Sequence, residues 1–399
     1  MDGAGGARAA AGGSPGSAGS LRSRRISKRL GHMKGGPSSW SDIPVELAGL
    51  VLCRLHAHVD RVRFAAVCKQ WRSAMQQVAL PPPLPLLAVK DGSGNFYSMP
   101  RGEPLRFPGC DNDIVMASGN WLVYNRLHGL LLVDPFSGAT MTLPTTITLP
   151  TLPTIHLLDS MDLLVVKLIV CSPRLIAGLF KGGRDFWLAV CQPGDSSWSA
   201  EKLPMSIFDI AFYKEKLYAI SYTQDLFALD ISVDDNTGDP QVAMIGRVIR
   251  GGLVYLDHNI LRALYLIESH GSLLMVRRSI FHKHFHGKGQ IHTFAEPCEP
   301  ELAVFEPDFG QSQWANAMAL GDDQVLFLGT CSRAICMPQR DSLDKRVWFL
   351  DDYMRDLCDG ETCTGADDMG VSKFSCPLPM ISWKGQNRRA GAVWLFPSN

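Results

Sequence analysis

The sequence predicts an α plus all-β multidomain chain, a short N-terminal helical module followed by a six- or seven-bladed β-propeller. Three observations predict it. Between residues 39 and 77, apolar side chains recur at helical spacing. Pro81, Pro82, Pro83 and Pro85 then crowd together, and successive prolines stop a helix and favour extended backbone. From Leu86 onward, short apolar or alternating runs are divided by Gly, Pro, Asn and Asp, with scarcely a long helical pattern.

Residues 1–38 are rich in Gly, Ala and Ser and too poor in apolar side chains to offset the entropy of one conformation, so disorder is expected there. Arg22, Arg24, Arg25, Lys28, Arg29 and Lys34 form a basic cluster in this tail. It reads as a nuclear import signal or a weak polyanion contact, and equally as a solvated tail with no receptor. An organelle transit peptide ranks third.

Residues 39–80 are expected to form the helical module. Pro44 and Glu46 suit a first helical turn, where a missing N–H costs nothing and a negative charge favours the dipole. Leu47, Leu50, Val51 and Leu55 follow at helical spacing, and Asp60 is the expected N-cap of a second helix. That helix carries Phe64, Val67, Cys68, Trp71 and Met75 on one stripe. Two short helices cannot bury so much apolar surface between themselves, so a partner helix or groove is expected to cover the rest. The competing reading is a hairpin packed on its own downstream domain.

Residues 81–85 are expected to be a stiff proline linker, and residues 86–399 the β-domain. Its runs include Trp121–Tyr124, Leu130–Val133, Phe186–Val190, Lys216–Ile220, Leu226–Leu229, Ala263–Ile267, Leu273–Val276 and Val325–Leu328. A loose repeat is visible at Gly129–Pro144, Phe186–Pro204 and Lys216–Ile231, each a strand pair across a polar turn. Units of roughly 40 to 50 residues with about four strands indicate propeller blades, with a pair of β-sandwiches as the runner-up.

In this 399-residue chain Lys plus Arg equals Asp plus Glu at 39 each, so the whole molecule advertises neither nucleic acid nor an acidic membrane surface. The 11 cysteines lack the dense spacing of a secreted disulfide scaffold and are expected as reduced thiols in the nucleus or cytoplasm. The most apolar stretch, Leu157–Val170, is broken by Asp159, Asp162 and Lys167, and the first residues have no apolar core, so neither a membrane span nor a secretion signal is expected.

Three spaced elements carry a resemblance. Ile43-Pro44-x-Glu46-Leu47, Arg54-Leu55 and Val67-Cys68-Lys69-x-Trp71-Arg72 resemble the F-box, the module that docks proteins onto the Skp-type adaptor of cullin–RING ubiquitin ligases. The resemblance implies that Ile43, Pro44, Leu47, Leu55, Val67, Cys68 and Trp71 form the adaptor-facing and core surface. His56 stands where many members carry proline, which implies a less rigid loop. Further on, Leu264–Val276, Phe305–Asp308, Trp314, Leu320–Gly329, Val347–Asp352 and Trp394–Ser398 resemble the propeller domain of uncharacterised function that follows the F-box in large plant families.

Catalytic chemistry finds little support. His282, His284, His286 and His292 suggest a zinc or copper site, but no nearby cysteine or carboxylate completes a usual spacing, and a polar hairpin tip is the preferred reading. Cys358 with Cys363, and Cys331 with Cys336, are each half of a zinc site without the other half. Asp322-Asp323, Asp351-Asp352 and Asp367-Asp368 read as turns, because adjacent strand residues point to opposite faces. No phosphate-binding loop or kinase signature is present, and no nucleophile elbow follows a predicted strand. Trp121, Trp187, Trp198, Trp314, Trp348, Trp383 and Trp394 are expected to pack between blades, with a minority left to anchor a protein partner.

The expected function is a non-catalytic substrate-recognition subunit of a Skp-cullin-F-box E3 ubiquitin ligase. It binds the adaptor, and through it cullin, with its F-box and an unknown protein target with its β-domain; no cofactor or metal, no membrane and no specific nucleic acid are expected. The alternative is a ligand-binding, inhibitory or enzymatic propeller whose helical hairpin is structural only.

Overall fold

The computed structural model describes residues 40, 43–89, 94–110, 113–126, 129–149, 152–156, 163–235, 238–252, 260–287, 290–295, 301–317, 323–337, 347–350 and 392–398, with backbone alone at 149, 152–156, 244, 260–262, 280–287, 290–295, 301 and 349. The basic tail, Cys358 and Cys363, Asp322, the later Asp pairs and Trp383 lie outside the described residues. From Pro44 onward, helices and strands belong to one compact unit.

Three helices open that unit, α1 (Val45–Arg54), α2 (His58–Val67) and α3 (Lys69–Gln77). Pro44 takes the N-cap position of α1, its carbonyl accepting the Ala48 N–H at 3.0 Å, and Glu46 lies in the first turn. α1 buries Ala48, Gly49 and Leu52. A Cβ on Gly49 would stand 3.1 Å from Val78 Cγ2, so glycine lets the chain after α3 approach α1 closely.

The expected second helix is two. The chain turns at Cys68, whose backbone is extended and whose Sγ accepts the Trp71 N–H at 3.5 Å. In an unbroken helix, residues 64 and 71 would lie about 10 Å apart along the axis. The break lets the Phe64 and Trp71 rings stack at 4.2 Å. Nor is Asp60 the N-cap: Ala57 holds that position, and Asp60 sits in the first turn of α2, 3.3 Å from Arg63.

The strands form a six-bladed propeller. The first blade takes β1 (Leu86–Val89), β2 (Phe96–Ser98) and β3 (Glu103–Leu105), and receives its innermost strand, β26 (Ala392–Leu395), from the far end of the sequence. Leu86 pairs with Leu395 and Leu87 with Trp394, so this blade combines strands from both ends of the sequence and closes the ring. The second blade is β4 (Ile114–Ser118), β5 (Trp121–Arg126), β6 (Gly129–Val133) and β7 (Thr140–Thr142).

The third blade is β10 (Leu163–Ser172), β11 (Leu175–Gly182), β12 (Asp185–Cys191) and β13 (Trp198–Lys202), extended by the hairpin β8 (Thr146–Leu149) and β9 (Leu152–His156), which joins through a parallel β13–β8 pairing. The fourth is β14 (Ile207–Tyr213), β15 (Lys216–Ser221), β16 (Leu226–Val233) and β17 (Pro240–Ile249). The fifth is β18 (Ile260–Ser269), β19 (Ser272–Gly287), β21 (Glu301–Asp308) and β22 (Gln313–Asn316), with β20 (Gln290–Ala295) on the extension of β19. The sixth has β23 (Gln324–Leu328) between β24 (Arg333–Cys336) and β25 (Val347–Phe349). Of the three repeats read from the sequence, the first two are the outer hairpins β6–β7 and β12–β13, whereas the third is the middle hairpin β15–β16.

Alternate side chains of one strand serve different neighbours, as the period-2 geometry of a strand requires. In β11, Ile176 and Phe180 pack toward the second blade, while Ala177 and Leu179 pack toward the fourth. In β18, Leu264 and Leu266 join the fourth blade, and Tyr265 and Ile267 the sixth. Both faces are buried, which is why these strands read as continuous apolar runs. Indole N–H groups reinforce the joints: Trp198 donates to Pro144 O at 3.0 Å, Trp314 to Gln224 O at 2.7 Å and Trp394 to Leu328 O at 2.9 Å, each bond reaching the preceding blade around the ring.

Candidate functional sites: the helical module, its junction and the central channel

α1 and α2 leave large apolar side chains in solvent. Leu47 is 50 % exposed and Val67 60 %, with Leu50, Val51 and Val62 also exposed. Fully burying one such side chain favours association by about 1.5 to 3 kcal/mol, and apolar side chains exposed together are a common mark of an interaction surface. Of the seven residues named from the sequence, Leu47, Val67 and Pro44 are exposed, and Ile43, Leu55, Cys68 and Trp71 are half-buried. Trp71 lies against Phe64, so its role in the fold is distinct from that of Leu47. Leu50 and Val51 were legible from their spacing with Leu47, whereas nothing in the pattern singled out Val62.

The module is tied to the propeller by polar bonds. Arg61 is buried, with Nε donating to Leu55 O and Nη1 to Pro81 O, both at 2.7 Å. The Leu84 N–H donates to His56 O at 2.8 Å, and Ala57 forms a parallel bridge with Leu84. His58 meets the Phe136 ring edge-on at 4.9 Å, and Arg63 Nη2 reaches Glu103 Oε2 at 2.7 Å. Burial, helped by the Arg61 charge, lowers His58 to about 4 and lowers His56 as well. At neutral pH His58 is an uncharged ring in this joint.

The innermost strands β26, β4, β10, β14, β18 and β24 neighbour one another in that order around a cavity of about 700 Å³. Pro82, from the linker after the helices, also lines it. Lys167 on β10 and Asp209 on β14 form a buried ion pair at 2.5 Å, and Asp209 also accepts the N–H groups of Ile210 and Leu266. Burial pushes Asp209 up, against the opposing pull of Lys167.

Cys331 and Cys336, paired in the sequence, are separated in their partners. Cys331 Sγ accepts the Gly119 N–H at 3.2 Å, while Cys336 Sγ donates to Asp323 Oδ2 at 2.9 Å. Chiefly through that hydrogen bond to the carboxylate, the Cys336 thiol is raised to about 11. It is therefore a neutral thiol at pH 7 and lacks the depressed pKa of an activated nucleophile. His270 Nε2 lies 3.9 Å from Asp323 Oδ2, and its Nδ1 is hydrogen-bonded to Gln324. The sequence reading missed this grouping, because its members come from two blades.

The four histidines at 282–292 fall on β19 and β20, where side chains lie outside the described residues. The register sets His292 opposite Phe285, out of step with the alternate positions of His282, His284 and His286.

Comparison with known proteins agrees with this architecture. Residues 96–372, more than half the chain, match the family described as KIB1-4 beta-propeller, and residues 40–81 match the F-box domain. Among Arabidopsis thaliana proteins, the chain is 23 % identical over 230 residues to the probable F-box protein At4g22060, a match spanning 49 % of this chain and 57 % of that protein. It is 20 % identical over 342 residues to the putative F-box protein At3g25750, across 78 % of this chain and 87 % of that protein. It is 44 % identical over 39 residues to the F-box protein At2g17690, covering 10 % of this chain and 9 % of that one. With three helices matching the F-box and six blades matching the propeller, the chain belongs to the KIB1-4 beta-propeller family and is a plant F-box protein.

Proposed function

We propose that this protein is the substrate-recognition subunit of a Skp-cullin-F-box ubiquitin ligase, binding the Skp-type adaptor through α1 to α3 and a protein target through the propeller. The carrying observation is that the helices matching the F-box keep Leu47, Leu50, Val51, Val62 and Val67 in solvent while fastening their other side to the propeller. A receptor of this kind needs no catalytic side chain. It raises the effective concentration of target lysines near the ubiquitin-carrying enzyme, and a stiff joint between its two binding parts preserves that gain. The cysteines at 53, 68, 110, 171, 191, 331 and 336 are free thiols, which suits the reducing nucleus or cytoplasm.

The test is co-purification of the full chain with a Skp-type adaptor, compared with Leu47→Asp and Val67→Asp. Capture by the parent chain and loss in both variants, with unchanged thermal unfolding, is the expected result. A folded parent chain that captures no adaptor would refute the receptor reading.

A further inference from the structure

We propose that His270, Asp323 and Cys336 form a binding site for one divalent transition-metal ion of the zinc class, beside the central channel. The three side chains offer an imidazole nitrogen, a carboxylate oxygen and a sulfur, the mixed donor set that suits zinc. They come from three places: the β18–β19 turn, the residue before β23 and the end of β24. Their ligand atoms all lie within 4.8 Å of one another. Around a tetrahedral zinc with bonds of about 2.0 to 2.3 Å, neighbouring ligand atoms stand roughly 3.5 Å apart. The Cys336 Sγ to Asp323 Oδ2 distance of 2.9 Å and the His270 Nε2 to Asp323 Oδ2 distance of 3.9 Å straddle that separation.

The backbone holds these donors in place. Gln324 pairs with Cys336 across β23 and β24, and the Met337 N–H donates to Asp323 O at 2.5 Å, which sets the carboxylate beside the thiol. His270 takes a left-handed conformation, φ 48°, followed by Gly271 at φ 73°, so the turn projects the ring at a fixed point.

The other ring nitrogen of His270 is held as well. Gln324 is buried, and its amide hydrogen-bonds His270 Nδ1, leaving Nε2 on the side of Asp323. A buried hydrogen-bonding group on the second ring nitrogen is how metal-binding imidazoles are oriented. As placed, the amide nitrogen faces Nδ1; a 180° turn of the amide about its last bond brings its oxygen there to accept Nδ1–H, and Nε2 then presents its lone pair. Gln324 is thus a positioning residue, and the three protein donors leave a fourth coordination place for water or a ligand.

The experiment titrates the full chain with Co²⁺, follows the thiolate-to-cobalt charge-transfer absorption, and displaces the cobalt with Zn²⁺ to obtain the zinc affinity. The parent chain is expected to develop the absorption of a single coordinating thiolate, and Cys336→Ser to lose it. His270→Asn, which keeps a residue tolerant of positive φ, is expected to weaken zinc binding at least about tenfold, and Gln324→Leu by about 10- to 100-fold. No cobalt–thiolate absorption in the parent chain, or an undiminished one in Cys336→Ser, would overturn the site. Should Cys336→Ser fail to fold, an unchanged zinc affinity in folded His270→Asn would overturn it equally.

Discussion

Arg61 and Pro81 are joined by a 2.7 Å hydrogen bond from the guanidinium Nη1 to the carbonyl oxygen, across the start of the segment that leads from the helices into β1. The same side chain binds Leu55 O through Nε, so one buried fork holds the α1–α2 corner and the proline segment together. Proline lacks an N–H but keeps its carbonyl, and a run of three prolines leaves carbonyls that a helix or strand ladder cannot use. Arg61 takes up one of them.

Replacing Arg61 with Met leaves two carbonyls without this donor, each costing about 1 to 3 kcal/mol if it stays dry. The expected result is a loss of roughly 2 to 4 kcal/mol in chemical denaturation, with faster amide exchange in α2 and at Leu84. Arg61→Lys should recover little, because an ammonium cannot make both bonds in the fork geometry.

The exposed apolar positions behave differently. Leu47→Asp and Val67→Asp should change stability by no more than about 0.5 kcal/mol, while Trp71→Ala, which removes the ring stacked on Phe64, should cost about 3 kcal/mol or more. Unfolding curves of the three variants measure this separation. A large loss of stability at Leu47 would show that the residue belongs to the core and is not available to an adaptor.

His58 makes stability depend on pH. Its folded pKa, about 4, is below the unfolded value of 6.5, so the unfolded chain binds the proton more readily. The contribution is fully present above about pH 6.5 and is lost as pH falls from there toward 4. Its size is of order 2 to 3 kcal/mol once residual solvent contact is allowed for. Melting temperatures of the parent chain and of His58→Phe, compared from pH 7.5 to 4, should diverge in that window, with the parent chain falling faster.

The Lys167–Asp209 pair crosses from the third blade to the fourth inside the channel wall. Lys167→Met strips a buried carboxylate of its counter-charge, and breaking such a pair typically costs about 3 to 5 kcal/mol. Asp209 then titrates still higher, because burial is no longer opposed by the cation. The loss of stability should therefore shrink as pH falls and the carboxyl becomes protonated, which urea unfolding at pH 7 and pH 5 will show.

Much of the fold was legible because its signals are local. The runs at Trp121–Tyr124, Lys216–Ile220 and Leu264–Ile267 are strands in the structure, and their two-faced apolar character follows from burial between two blades. The helix break at Cys68 left no mark, since no glycine or proline stands there and the apolar stripe runs on to Met75. The bend is favoured by contacts across it, the stacking of Phe64 on Trp71 and the Cys68 Sγ cap on the Trp71 N–H. The repeat through Lys216–Ile231 is a strand pair as read, but its place in the blade was not legible, because a polar turn between two apolar strands looks the same in the middle of a blade as at its rim.

By itself the sequence determined the order of parts: a helical module whose apolar residues exceed what it can bury, a proline segment, then strands with two apolar faces. These depend on spacing within a few residues, where side-chain geometry and backbone propensity act directly. Tertiary structure alone decided that there are six blades, that β26 pairs with β1 to close them, that Arg61 ties the module to the linker, and that His270, Gln324, Asp323 and Cys336 meet. Each of these joins residues far apart in the chain or sums over the whole ring, and contacts of that kind become favourable only after many strands have jointly met the entropy of closing the loops between them.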